Sequence, residues 1–132
     1  MTSIFHHFIP TNDFLPPEKI VQALYSLYGQ LLNVEWFKEE EGYEAVFYHQ
    51  DKECIACFNE EGELLVSKRN LPLSMVTPEV KREALAVGEL MNLIEINRQG
   101  NFFYEIIARD KNLDRYSLLL ERDGSLLEKR KL

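Results

Sequence analysis

Residues 53–65 read ECIACFNEEGELL, and residues 116–127 read YSLLLERDGSLL. The first stretch holds the chain's two cysteines, Cys54 and Cys57, spaced like a thiol redox pair or half of a zinc site. Laid over one another at an offset of 62 residues, 54–65 and 116–127 share an apolar run, an acidic turn, a glycine and a pair of leucines. The second copy has Tyr116 and Leu119 where the first has its thiols. What repeats is therefore a shape: period-2 alternation, a polar turn with Gly62 or Gly124 placed for positive φ, then alternation again. Each stretch reads as a β-hairpin, and cysteines three apart on a strand point to opposite faces of it.

Working outward, the rest of the chain is also written twice. PEKIVQAL from Pro17 matches PEVKREAL from Pro78 at an offset of 61, and VEW (34–36) matches IEI (94–96) at 60. Tyr43 and Glu44 match Tyr104 and Glu105 at 61. Each copy reads as one helix followed by four strands. In the first, Pro17 suits the first helical position and Glu18 the positive helix end. Ile20, Leu24, Leu27, Tyr28 and Leu31 make an apolar face, and Gly29 a stop. In the second, Thr77 is the expected N-cap. Val80, Ala84, Val87 and Met91 continue the inner stripe, with Gly88 as the stop. The strands are predicted over 33–39, 43–50, 53–59 and 63–69, then over 93–98, 102–109, 115–121 and 125–131. Their short polar connections dictate antiparallel neighbours.

The expected organisation is one domain over 1–132: an N-terminal arm 1–15, repeat one 16–69, a connection 70–77 and repeat two 78–131. The class is α+β. Two tandem α-β4 repeats form one antiparallel sheet of about eight strands, with both helices on one face and the other face open.

A net charge of −7 repels phosphate backbones and argues against nucleic acid as a partner. The basic end EKRKL (Lys129, Arg130, Lys131) reads as a solvated terminus. No apolar run approaches the ~18 residues of a membrane helix, so no membrane is expected. The first residues show no export signal pattern, which by default places the chain in the cytoplasm. No catalytic triad, phosphate-cradling loop or metalloprotease helix can be read. We expect no enzyme activity, no cofactor and no metal.

The open face is not uniformly polar. If Tyr43, Ala45 and Phe47 face the helix, Val46 and Tyr48 point outward. If Tyr104, Ile106 and Ala108 face inward, Phe103 and Ile107 point outward, and Phe37 lies opposite Trp36. Glu35, Glu44, Glu95 and Glu105 recur in both copies and should share that face. Aromatic and aliphatic side chains rimmed by glutamates are the surface expected to meet a protein or peptide partner. The expected contacts are Phe37, Tyr48, Phe103 and Ile107, with Glu44 and Glu105 setting charge preference. Two alternatives stand beside this. One is a thiol or metal protein using Cys54, Cys57 and His49. The other is a structural homodimer closed by a sheet edge and the arm, whose Ile4, Phe5, Phe8, Ile9, Phe14 and Leu15 need something to pack on. His6 and His7, adjacent in that arm, cannot aim both rings at one point on a regular element.

The order of helix, VEW, GYEA, CFNEEGELL, second helix, FYEI and LERDGSLL resembles the PepSY-like, beta-lactamase-inhibitor-like proteins, from about Pro16 to Lys131. Trp36, Tyr43, Glu44, Phe58, Gly62, Tyr104, Glu105, Asp123 and Gly124 carry the likeness. It implies tandem α-β4 repeats in a continuous sheet with a concave face free for a partner. It implies neither an enzyme nor a cofactor, and it implies relatives that are commonly exported.

Overall fold

Period-2 segments broken by short polar turns become strands in the structure, a computed structural model that describes residues 14–132. The readings made on the arm before Phe14, including His6 and His7, lie outside those residues. The order is α1 (Glu18–Tyr28), β1 (Glu35–Glu39), β2 (Gly42–His49), β3 (Lys52–Asn59), β4 (Leu64–Leu71), a 3-10 turn (Leu73–Met75), α2 (Pro78–Val87), β5 (Glu89–Arg98), β6 (Asn101–Arg109), β7 (Arg115–Glu121) and β8 (Leu126–Lys131). The strands run in sequence order β1 to β8 as one open antiparallel sheet. Two helices and eight strands make the α+β class expected from the pattern. β4 runs to Leu71, so the connection between repeats begins two residues later than expected. The chain divides into two units, one ending at Ser67 and one starting at Lys68.

In the first unit, α1 turns Ile20 and Leu24, both fully buried, onto Trp36, Ala45, Phe47, Cys54, Ala56 and Phe58. The register explains the fit. Ala45 pairs with Ala56, and their small side chains leave room for the helix between bulky Trp36, Phe47 and Phe58. Full burial of a side chain such as Ile20, Leu24 or Phe47 stabilises by about 1.5–3 kcal/mol. Pro17 is the N-cap, not the first helical residue, and Gly29 closes the helix with its N–H on the Tyr25 carbonyl at 2.8 Å. Leu27, expected on the inner face, is exposed.

In the second unit, Thr77 Oγ1 accepts from the Val80 N–H at 3.4 Å and caps α2 as expected. Val80 and Ala84 pack on Leu93, Ile106, Leu118 and Leu120. Gly88 ends the helix and β5 starts at once, four residues earlier than predicted. Met91 is therefore not helical. It lies in β5 at the register shift between Leu90 and Asn92.

The buried helical pairs correct the alignment of the two copies. Ile20 and Leu24 answer to Val80 and Ala84, an offset of 60, whereas the letter match placed Leu24 on Leu85, which is exposed. The turn glycines agree with the new register. A Cβ on Gly62 would meet the Lys19 carbonyl, and one on Gly124 the Glu79 carbonyl. The match of VEW to IEI also fails. Trp36 pairs with Ala45 and lies in the core, and the core residue opposite Ile106 is Leu93. Glu95 thus shares the helix-facing side with Leu93, where its carboxylate meets Arg69 Nε at 2.7 Å. Ile96 lies on the opposite face, paired with Phe103.

Candidate functional site

In the first unit the face away from α1 is built in rows by the strand register. Phe37, Glu44 and Cys57 form one row, and Glu35, Val46 and Ile55 the next. Tyr48 stands opposite Glu53. Tyr48 is 62% exposed, while Phe37 and Val46 are half-buried and Ile55 is buried. Cys57 Sγ lies 3.9 Å from Glu44 Oε2. Glu35 Oε2 is buried and makes no hydrogen bond among the described residues.

The second unit presents the same face differently. Ile94, Glu105 and Leu119 form one row and Asn92, Ile107 and Ser117 another, with Phe103 between Ile96 and Glu121. Ile94 and Ile96 are each only 3% exposed, so these two side chains are covered on this face. Phe103 and Ile107 are half-buried on it. A pocket of about 170 Å³ opens here, with Ile96 and Leu119 in its lining. Lys68, Arg98 and Arg130 line it, together with the carboxylates of Glu105 and Glu128. Buried Ser117 also lines it and donates from Oγ to Glu105 Oε2 at 3.4 Å.

All six residues expected to contact a partner thus point away from the helices, with Phe37, Tyr48 and Glu44 in the first unit and Phe103, Ile107 and Glu105 in the second. Glu95 does not join them. The cations of the pocket were missed, because Lys68, Arg98 and Arg130 come from three separate strands. One signal was present: Arg130 belongs to the basic end, which the structure folds into β8. There Lys129 Nζ lies over the Tyr116 ring at 5.1 Å, and Lys131 Nζ reaches Asp114 at 3.6 Å.

The thiol alternative loses its geometry. Cys54 is buried beneath α1, with its Sγ on the Lys52 carbonyl at 3.4 Å, and Cys57 is on the other face. His49 packs edge-on against the Tyr28 ring with centroids 5.3 Å apart. These three residues cannot converge on one ion. Two groups elsewhere have shifted titration. Burial pushes the Tyr28 hydroxyl above its ordinary pKa, helped by Cys54 and opposed by a hydrogen bond with Ser67. Hydrogen bonds from the Ser125 side chain and backbone hold Asp123 below the usual carboxylate value in the β7–β8 turn.

No protein-family profile and no curated protein sequence matches the chain. Solved structures do. A candidate periplasmic protein from Bacteroides eggerthii shares 18% identity over 89% of this chain and 90% of its own, with a TM-score of 0.81. A DUF2874 family protein from Bacteroides uniformis is similar to the same extent, with 18% identity, 89% and 90% coverage and a TM-score of 0.81. A BLIP-like protein from Bacteroides fragilis shares 15% identity over 90% of this chain and 88% of its own, with a TM-score of 0.74. The chain therefore has a BLIP-like fold. At these identities the likeness is one of fold, and a fold does not transmit a function.

Proposed function

We propose that this protein is a non-enzymatic binding module that engages a protein or peptide through the faces of its sheet turned away from the helices. Phe37, Tyr48, Phe103 and Ile107 supply apolar contact, and Glu44 and Glu105 set charge preference. The observation that carries the reading is Tyr48, a large aromatic 62% exposed near the end of β2, next along the same face to half-buried Val46, with half-buried Phe37 one row further on, opposite Glu44. Aromatic side chains concentrate binding energy at interfaces, and a strand holds them with little conformational freedom left to lose. The pocket of about 170 Å³ supports the same reading. It is smaller than the roughly 300–1,000 Å³ of small-molecule sites and suits one inserted side chain.

The BLIP-like name of the Bacteroides fragilis neighbour supports a protein partner, and kinship with the PepSY-like family belongs to the same proposal. Nucleic acid is disfavoured by the net charge of −7. Among the described residues no helix is long and apolar enough to cross a membrane. The periplasmic name of another neighbour supports a place of action outside the cytoplasm, against the default reading of the N-terminal residues. Cell fractionation decides between the two. A homodimer through β8 is the weaker reading, because Glu128, Lys129, Arg130 and Lys131 charge that edge strand, a common defence against edge pairing.

The test is recovery of a partner from extracts of the native organism. The wild type should retain one, and a Phe37→Ala/Tyr48→Ala double variant should lose it while its melting temperature falls only a few degrees. Equal recovery by both proteins, or collapse of the variant's fold, would end the reading.

A further inference from the structure

We infer that the pocket on the second unit is a carboxylate site, which receives one glutamate or aspartate side chain of an extended partner segment. The inference deepens the binding reading above and rests on it. Three cations and two carboxylates line the pocket, a local balance of +1 in a chain of −7. Among the described residues Lys68, Arg98 and Arg130 make no ion pair, although Glu105 and Glu128 line the same pocket. Five other cations on or beside the second unit's strands are engaged: Arg69 with Glu95, Arg109 with Glu89, Lys131 with Asp114, Arg122 over Phe102 and Lys129 over Tyr116.

Lys68 and Arg130 sit on β4 and β8, four strand spacings apart, about 19 Å on a flat sheet. Both line one pocket, so these long side chains reach inward from opposite sides of the face. Arg98 adds a planar fork that matches a carboxylate, and such charge-assisted bonds are about twice as strong as neutral ones. Glu105 and Glu128 select against a higher charge. A dianionic phosphate would face both of them, whereas a single carboxylate matches the local excess. Ile96 and Leu119 give the methylene stem of the entering side chain an apolar surface to lie on. The net charge of the whole chain repels anions at long range, so the pocket acts at short range, on a carboxylate carried in by a docked segment.

The probe is a blocked Ala-Val-Glu-Val-Ala peptide titrated into the isotope-labelled full chain and followed by amide shifts. We expect saturable shifts at Ile96, Ser117 and Leu119 with a Kd on the order of 1 mM. The glutamine peptide should bind about tenfold more weakly, and added salt should weaken only the glutamate peptide. Arg98→Gln/Arg130→Gln, two exposed positions, should weaken binding about tenfold and leave the fold intact. No saturable shift up to roughly 10 mM, equal binding of both peptides, or tighter binding of inorganic phosphate at the same amides would overturn the inference. If the peptide fails while the Phe37→Ala/Tyr48→Ala variant still loses its partner, the binding reading survives without the carboxylate site. If the peptide binds while that variant keeps its partner, the site stands and the wider reading falls.

Discussion

Phe47 and Tyr48 are neighbours in β2 that point to opposite faces, and their replacement measures the difference between core and open surface. Phe47 is 2% exposed, and its ring meets Tyr28 edge-on with centroids 4.8 Å apart. Phe47→Ala removes a fully buried ring and leaves a cavity, at a cost of about 3–5 kcal/mol. Of that, about 0.5–1.5 kcal/mol belongs to the aromatic pair. Tyr48 is 62% exposed, so its loss removes little buried area. Tyr48→Thr keeps the strand preference of the site and should cost less than about 1 kcal/mol.

Urea unfolding reads both values. With a slope of about 1.5 kcal/mol per M, the midpoint falls by roughly 2–3 M for Phe47→Ala and by less than about 0.7 M for Tyr48→Thr, at unchanged slope. Phe47→Leu should fall between them, which keeps the comparison readable if the alanine variant is too unstable to purify. Equal losses at the two positions would mean that Tyr48 is covered, and the proposed contact surface would be wrong.

Four further outcomes follow from the geometry. Gly62 and Gly124 have φ of +89° and +93°, but a Cβ on Gly62 has ordinary contacts from 3.7 Å outward, whereas one on Gly124 meets the Glu79 backbone oxygen at 2.9 Å. Gly62→Ala should cost the strain alone, about 1–2 kcal/mol, and Gly124→Ala about 1–3 kcal/mol more, checked by the same unfolding curves. Tyr28 has a raised folded pKa, so its contribution is complete below the unfolded value of about 10 and is lost as pH rises through the folded one. Tyr28→Phe should flatten the alkaline side of the stability profile. Asp123 has a depressed folded pKa, so its contribution is present above the unfolded value of about 3.9 and is lost as pH falls through the folded one. Asp123→Asn should flatten the acid side. In a thiol titration of the native protein, half-buried Cys57 should react well before Cys54, which is 5% exposed, and mild oxidation should not join them across the sheet.

The architecture was legible where alternation was clean. GYEAVF and FYEIIA each carry one apolar face, and the structure turns Tyr43, Ala45 and Phe47, and Tyr104, Ile106 and Ala108, toward their helices. The hairpins with Gly62 and Gly124 were legible because the turn glycine fixes the register of both strands. In β5 the pattern failed. Leu93, Ile94 and Ile96 are all buried although they occupy both faces, so periodicity could not say which way Glu95 points. Its neighbour across the unit, Arg69, decides the matter with an ion pair that no short-range pattern reveals. In the helices PEKIVQAL and PEVKREAL matched by letters one position away from the match by burial. A proline can stand at the cap or at the first turn, and both choices occur here. That the six proposed contact residues point away from the helices could be read from alternation alone. The cationic pocket could not, since its three cations come together only after four strand spacings are folded over one face.

The most direct test of the binding account is side-chain footprinting of the wild-type protein, free and with the partner it retains. The account predicts that Tyr48, Phe37 and Phe103 become protected, while Leu27 and Leu85, exposed at 55% and 61% on the outer sides of the helices, stay as reactive as before. Protection of Leu27 and Leu85 with Tyr48 unchanged would contradict it.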